Sequence, residues 1–194
     1  MKKIMFNDQY GLTEAVLDGR KTQTRRIAYK EPFKYNCNCG FYTEGKDKGK
    51  FAINDGNEIV AKSTYKIGEV VAVAQRYSDI PYIKELHPRI NTSEGWGNKM
   101  FVKSDLMPHQ IKITNIRCER LQYISTDDCM KEGIFCSHID GIDDAYSYDA
   151  TNDSFEKKWW YRTPIEAYKM LSCKLHLHWD NNPLVFVYDF KLVK

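Results

Sequence analysis

Apolar, β-prone segments separated by short helices and long polar stretches most constrain the fold of this chain. "QIKITNIRCERL", residues 110–121, alternates apolar and polar side chains and changes phase once, which predicts a strand with a bulge. "YKIGEVVAVAQ" at 65–75 and "PLVFVYDFKLV" at 183–193 each predict a buried strand. "AINDGNEIV" at 52–60 has Asp-Gly between short β-prone runs, which is typical of a hairpin. Because strands and helices do not alternate regularly, we expect an α+β fold built on a barrel or strongly curled sheet.

Three segments carry helix start and stop signals. "NDQYGLTEAVLDG", residues 7–19, has apolar residues at helical spacing and ends in glycine. "STDDCMKEG", residues 125–133, predicts a two-turn helix capped by its serine and ending at Gly133. "TPIEAYKML", residues 163–171, combines a threonine cap, a proline at the first helical position and a glutamate that completes a capping box. By contrast, residues 79–99 show little periodicity, and we expect a long loop there.

The charge of the chain is nearly balanced but unevenly distributed. The 194 residues include 29 Lys and Arg against 26 Asp and Glu, a net charge of +3, which is too mild to indicate an extended nucleic-acid surface. Residues 1–30 are basic, whereas residues 137–156 contain six acids and no Lys or Arg, which predicts a solvated acidic loop. The length favours one domain, residues 1–194.

We predict a cytoplasmic protein without a metal or an organic cofactor. Asn7, Asp8 and Gln9 interrupt the start of the chain before any apolar run, so neither a signal peptide nor a membrane span is expected. The six cysteines are expected to be free thiols, some of them in the core. His176 and His178 would share a face if extended, but no neighbouring ligands complete a metal site.

The run "GRKTQTRR", residues 19–26, gathers three arginines, one lysine and two threonines behind the first predicted helix. Acyl transfer needs a nucleophile, a base and donors for the developing oxyanion. Thr24 supplies a hydroxyl, and Lys21 can act as a base if burial or cationic neighbours lower its pKa by several units from ~10.4. Those neighbours are Arg20, Arg25 and Arg26.

Two other interpretations of this run stay open. The same side chains would hold a phosphate or carboxylate, and a solvated basic loop entering a strand would need no function at all. In a regular strand Lys21 and Thr24 would face opposite sides, whereas Thr22 and Thr24 would share one. The catalytic hypothesis therefore requires a turn or bulge in this run, which the glycine at its start could provide.

Glu132 is a second candidate, because it lies in the last turn of a predicted helix. An anion there costs roughly 0.3–1 kcal/mol against the helix dipole. Residues in locally unfavourable positions are often found at functional sites. Lys21 or an arginine of the run could compensate the negative charge of Glu132. The alternative is an exposed glutamate that is tolerated at this small cost.

Aromatic side chains are the third group of candidates. Trp159, Trp160 and Tyr161 precede the Thr163 helix, and Tyr77 follows the middle strand. Such rings stack on bases with about 1–3 kcal/mol per base, but they also form protein cores. We expect one of the two tryptophans in the core and the other, with Tyr77, at the rim of a cleft, and we assign that rim position to Trp160.

The chain resembles the ASCH domain family, within the PUA-like superfamily of β-barrels. The resemblance rests on the stretches "GRKTQTRR", "YKIGEVVAV", "ITNIRCERLQYISTDDCMKEGI" and "NPLVFVYDFKLV", in this order. It implies a PUA-like β-barrel with short flanking helices, interrupted by insertions at about 29–63, 79–105 and 135–160. This longer form is similar to proteins encoded by phages and prophages.

The resemblance also implies a function. The family barrel is thought to bind RNA or nucleotide-like ligands, and some compact members are amidohydrolases that remove the acetyl group from acetylated cytidine nucleosides. Carried over motif by motif, their catalytic Lys, Thr and Glu correspond to Lys21, Thr24 and Glu132. Two functions therefore stay open: hydrolysis of an amide on a nucleoside-like ligand, or non-catalytic binding of RNA or a modified base. In both, Arg20, Thr22, Arg25 and Arg26 would bind the ligand together with Tyr77 and Trp160.

Overall fold

The structure is a computed structural model that describes residues 1–29, 37–42, 44–55, 58–139, 142–148 and 160–193. The strands in these ranges are, in chain order, β1 (Lys3–Ile4), β2 (Gln23–Tyr29), β3 (Cys37–Phe41), β4 (Lys50–Asp55), β5 (Glu58–Lys66), β6 (Val70–Val73), β7 (Gln110–Arg120), β8 (Phe135–Ile139), β9 (Ile142–Ser147) and β10 (Leu184–Leu192). The helices are α1 (Leu12–Leu17), α2 (Ile83–Leu86), α3 (Thr126–Lys131) and α4 (Pro164–Lys174). This is a mixed α+β protein, which confirms the predicted class.

The central element is a five-stranded sheet in the order β1-β6-β7-β10-β2. Its neighbours are antiparallel except for β1 and β6, which run parallel. Asp189 of β10 lies opposite Asn115 and Phe190 lies opposite Ile113, so Thr114 is an extra residue on β7. This bulge confirms the irregular strand that the change of phase predicts.

A second sheet, β3-β4-β5, packs against one face of the central sheet. Aromatic rings join the two: Tyr65 meets Tyr188 with ring centroids 5.3 Å apart, and Phe51 meets Phe186 at 6.3 Å. Strands β4 and β5 pair on both sides of the Asp-Gly sequence, as the hairpin pattern predicts. The turn residues 56 and 57 lie outside the described part of the chain.

The opposite face of the central sheet is covered by α3 and α4, which contact each other. Both helices begin where their caps predict. The hydroxyl of Thr163 accepts from the backbone N–H of Glu166 at 3.2 Å, and the Glu166 carboxylate accepts in return from the N–H of Thr163. The Ser125 hydroxyl accepts from the N–H of Asp128. Tyr168 and Leu171 of α4 are fully buried and anchor this layer in the core.

Residues 77–106 differ from the predicted long loop. They form a series of 3-10 turns and α2 around an apolar cluster of their own, which includes Tyr77, Ile83 and Val102. The ammonium of Lys3 ties this segment to the sheet by donating to the carbonyls of Met100, at 2.6 Å, and of Val102. Periodicity is a poor guide here because 3-10 turns of three residues leave no repeating apolar pattern.

The predicted acidic loop also differs in its first part. Phe135–Ile139 and Ile142–Ser147 pair as the antiparallel strands β8 and β9, and Tyr146 bridges to Tyr161 ahead of α4. Residues 140–141 and 149–159 lie outside the described part of the chain.

The strands in the described ranges form three separate sheets, and the pairing among them does not close a ring. No helix in the described ranges has the length and apolar character needed to cross a membrane.

Candidate functional site

The run at residues 19–26 is a turn followed by a strand. Gly19 adopts a positive φ of 75° after α1, where residues with a side chain are strained. The N–H of Lys21 then returns to the carbonyl of Ala15 at 2.7 Å, and the N–H of Thr22 bonds the carbonyl of Lys131 at 2.9 Å. Lys21, Thr24 and Arg25 are each at most 5% exposed. The solvated-loop interpretation is therefore wrong for these three residues.

Lys21 and Glu132 form a buried ion pair. Nζ of Lys21 lies 2.6 Å from Oε2 of Glu132 and donates a second hydrogen bond to its backbone carbonyl at 2.7 Å. Glu132 ends α3, and Gly133 follows with a φ of 100°. A Cβ on Gly133 would make only ordinary contacts with Leu12 and Lys21, so the glycine is needed here for its positive φ. Burial lowers the pKa of Lys21, and the charge of Glu132 offsets this only in part.

Arg25 binds the other oxygen of Glu132. Its guanidinium lies 3.0 Å from Oε1 of Glu132, 2.6 Å from Glu119 and 3.1 Å from Asp128. It also lies 5.8 Å from the centre of the Tyr168 ring on α4. Burial by itself would lower the pKa of Arg25, but Glu132 and Glu119 outweigh it together with Tyr168 and raise the pKa, so Arg25 stays charged.

More polar side chains extend this arrangement across β7, β10 and α3. Arg117 contacts Glu119 at 3.0 Å and Asp189 at 3.1 Å and also bonds Asp128. The amide of Gln23 donates to Asp128 and Asp189. We call this set the buried charge network; its members are Lys21, Gln23, Arg25, Arg117, Glu119, Asp128, Glu132 and Asp189. Its three cations face four carboxylates, so it has no excess positive charge to offer a ligand.

Thr24 lies on the other face of β2. Arg25 is opposite Val187 of β10, whereas Thr24 is opposite Tyr188, and successive strand residues point to opposite faces. Tyr188 packs between the two sheets and accepts a hydrogen bond from the N–H of Thr64. Lys21 and Glu132 therefore meet, which is one of the alternatives that the sequence leaves open, whereas Thr24 faces the space between the sheets.

The remaining residues of the run lie nearer the surface. Arg20 is exposed and lies 3.5 Å from Asp18, and Arg26 is exposed and donates to the carbonyl of Met5 at 2.6 Å. Thr22 is half-buried. Of the arginines proposed to bind a ligand, Arg20 and Arg26 are accessible and Arg25 is not.

The predicted aromatic residues are separated from the network. Tyr77 is 2% exposed, its hydroxyl accepts from the N–H of Lys103, and it belongs to the cluster of the 77–106 segment. Trp160 is half-buried next to the bridge between Tyr161 and Tyr146. Trp159 lies outside the described residues. Burial leaves the ring of Tyr77 unsuited to the stacking role that the sequence predicts.

Sequence reasoning missed Gln23, Arg117, Glu119, Asp128 and Asp189. A signal for two of them is present in "RCE", because Arg117 and Glu119 are two positions apart and share one face of β7. Charged side chains on the covered face of a predicted strand require partners. Those partners come from α3 and β10, which no local pattern connects to β7.

Among the described residues, no group of three or more His, Cys, Asp or Glu side chains is placed to hold a metal ion. Comparison of the chain with protein-family models, curated proteins and solved structures finds no match.

Proposed function

We propose that this protein has a PUA-like fold of the ASCH type and hydrolyses an amide on a small nucleoside-like ligand at the Lys21–Glu132 pair. The buried contact of 2.6 Å between Nζ and Oε2 is the observation that carries the proposal. A lysine with a lowered pKa beside a carboxylate is a common arrangement for proton transfer. The resemblance of "GRKTQTRR" and "MKEGI" to the ASCH family supplies the substrate class.

The pair can move the protons that amide hydrolysis requires. Transfer of one proton from Nζ of Lys21 to Oε2 of Glu132 gives a neutral amine and a neutral carboxylic acid. The amine then takes the proton of the attacking hydroxyl as the oxygen bonds to the carbonyl carbon. The acid gives its proton to the leaving nitrogen as the C–N bond breaks, which restores the ion pair. If Thr24 is the nucleophile, water then hydrolyses its acetyl ester, which releases acetate and restores the hydroxyl.

The position of Thr24 bears on the identity of the nucleophile. Its hydroxyl lies on the face of β2 opposite that of Arg25. A water molecule at Lys21 can attack directly, whereas attack by Thr24 requires the start of β2 to turn. The proposal therefore assigns proton transfer to Lys21 and Glu132 and leaves water and Thr24 to be distinguished by substitution.

A small ligand fits the charges better than a polyanion does. The cations of the buried charge network are neutralised by carboxylates, and the exposed arginines of the run are Arg20 and Arg26. Phe6, which is itself buried, lies against Lys21, with Nζ 5.9 Å from the ring centre, so the pair is covered and a substrate must reach it through a rearrangement of this packing.

The test is release of acetate from N4-acetylcytidine by the purified protein and by its Lys21→Met variant. Methionine keeps the volume of the side chain and leaves Glu132 paired with Arg25. We expect turnover by the wild type and a loss of about 10²- to 10⁴-fold in the variant, because general acid–base catalysis contributes this much. Lys191→Ala, which removes an exposed lysine from β10, is the control and should keep full activity.

Thermal unfolding must show that each variant is folded. Thr24→Ala abolishes turnover if threonine is the nucleophile and leaves most of it if water attacks. Equal turnover by the wild type and Lys21→Met would refute the role of the pair. A folded wild type without turnover would refute this substrate.

The second candidate function is binding of a modified nucleoside without chemistry. The placement of Thr24 away from the pair favours it, because the proposed nucleophile and base then do not meet. In that case equilibrium dialysis would detect binding of N4-acetylcytidine while no acetate appears.

A further inference from the structure

A cleft of about 800 Å³ opens in the segment 77–106 and shares no residue with the buried charge network. Its lining combines an apolar part and a basic part. Tyr77, Leu86, Ile90 and Phe101 line the apolar part, and Arg89 and Lys103 line the basic part. A volume of this size is within the range of roughly 300–1,000 Å³ that is usual for small-molecule sites.

The apolar part consists of a rigid floor and an exposed mouth. Tyr77 forms the floor, and its ring is fixed because the backbone of Gly95 packs directly against it and the N–H of Lys103 bonds its hydroxyl. Leu86 and Phe101 are 74% and 53% exposed. Large apolar side chains exposed around a concave surface are typical of a binding site.

The basic part gives the cleft its preference for charge. Arg89 and Lys103 line it, are exposed, and form no ion pair among the described residues. Three other cations of this part of the chain have partners of their own: Arg76 binds Asp79 at 2.7 Å, Lys99 binds Asp8 at 2.7 Å, and Lys84 lies over the Trp96 ring, 4.6 Å from its centre. Glu94 is the acidic residue in the lining, so two formal cations face one anion, with His87 as a further nitrogen group. The charge complement of this lining is an anion.

We propose that this cleft binds a small amphipathic anion, with an apolar ring or chain against Leu86, Ile90 and Phe101 and a carboxylate or phosphate at Arg89 and Lys103. The volume of the cleft indicates a small ligand. The exposed apolar side chains favour an apolar ring or chain, and the unpaired cations favour an anionic head group. This proposal does not rest on the amide hydrolysis proposed for Lys21 and Glu132.

The test compares three probes that share one ring system: 1-naphthoate, 1-naphthyl phosphate and the neutral 1-naphthalenemethanol. Binding to the full chain is measured by titration calorimetry and by NMR shift mapping. We expect at least one anion to bind more tightly than the neutral probe. The double variant Arg89→Ala/Lys103→Ala should bind the anions about 3- to 20-fold more weakly, because exposed charges contribute up to about 1 kcal/mol each, and should bind the neutral probe within about twofold of the wild type.

Two further variants make the result specific. Leu86→Ser/Phe101→Ser should weaken binding of all three probes, and both residues are exposed enough for the fold to tolerate the change. Arg162→Ala/Lys191→Ala removes two exposed cations elsewhere and should leave all affinities unchanged. The stronger of the two anions identifies the head group. The proposal is wrong if neither anion binds more tightly than the neutral probe, or if the Arg89 and Lys103 variant binds the anions like the wild type.

Discussion

Lys21 and Glu132 place opposite charges where water hardly reaches, and Glu132 is the carboxylate that compensates the charge of Lys21. Removing one partner of a buried pair typically costs about 3–5 kcal/mol, because the remaining charge is then left uncompensated. Here Glu132 also ends a helix, where an anion is disfavoured. The predicted compensation is confirmed, since both Lys21 and Arg25 bind the carboxylate. An acidic residue at an unfavourable position, the end of a helix, thus indicated correctly that Glu132 interacts with cationic side chains.

Asp128 gives the buried charge network a measurable pH dependence. Burial works to raise its pKa, but Arg117, Gln23 and Arg25 outweigh burial and lower the pKa below the usual 3.8. A carboxylate with a lowered pKa stabilises the folded state fully above 3.8, and this contribution is lost as the pH falls through the folded-state pKa. We therefore expect Asp128→Asn to lower the free energy of unfolding by about 1–3 kcal/mol at pH 7 and by much less near pH 2.

Urea unfolding of the wild type and the variant at both pH values measures this difference. Asp127→Asn is the control, because Asp127 is the exposed neighbour in the same first turn of α3. It should change stability by less than about 0.5 kcal/mol. A difference between the wild type and Asp128→Asn that does not shrink in acid would contradict the assigned role of Asp128.

At the scale of elements, α3 and α4 begin where the sequence predicts because helix caps are local. Thr163 and Glu166 are three residues apart, and each satisfies a backbone N–H of the other's turn. Such pairs act within one turn of the chain and are independent of what the helix packs against. The starts of both helices could therefore be predicted without knowledge of the fold.

Thr163→Ala should remove one half of this capping box. We expect the free energy of unfolding to fall by about 0.5–2 kcal/mol, because an N–H at the start of α4 loses its acceptor. Thr163→Ser keeps the hydroxyl and should stay close to the wild type. Denaturant unfolding measures both, and equal stability of the alanine and serine variants would show that the cap contributes nothing.

The structure of residues 77–106 could not be predicted from the sequence, because it depends on tertiary contacts and not on a periodic pattern of apolar residues. Gly95 illustrates the difference. A Cβ at this position would lie 2.5 Å from the Tyr77 ring, which is buried and whose hydroxyl accepts a hydrogen bond from the N–H of Lys103. Nothing in the sequence around Gly95 indicates this contact, since Tyr77 lies 18 positions earlier and the two meet only through tertiary packing.

Gly95→Ala should therefore destabilise the protein by about 1–3 kcal/mol, the usual cost of overpacking. Gly97→Ala is a matched control two residues away, because a Cβ there meets nothing within 4 Å and its φ is negative. It should be neutral or slightly stabilising. Thermal unfolding of both variants measures the difference, and equal melting temperatures would mean that the Tyr77 ring yields to the added methyl group.

At the scale of the whole molecule, the sequence predicts the α+β class and the strands β4, β5, β6, β7 and β10, but not β8 and β9 or the order of the strands in the sheets. The contact between Lys21 and Glu132 spans 111 positions, and the one between Gln23 and Asp189 spans 166. Local patterns report burial and turns, whereas contacts at these separations depend on which strands become neighbours. For this reason the pairing of Lys21 with Glu132 was expected only as one of several alternatives, and the rest of the buried charge network was missed.

The place of β10 in the central sheet has a consequence for synthesis on the ribosome. This strand is C-terminal to the others in the chain, yet it lies between β7 and β2. In the described part of the chain, β2 pairs within the sheet through β10 alone. Until β10 has left the exit tunnel, β2 and one edge of β7 therefore lack the strand with which they pair in the folded protein. During that interval chaperones or other nascent chains can bind these exposed strand edges.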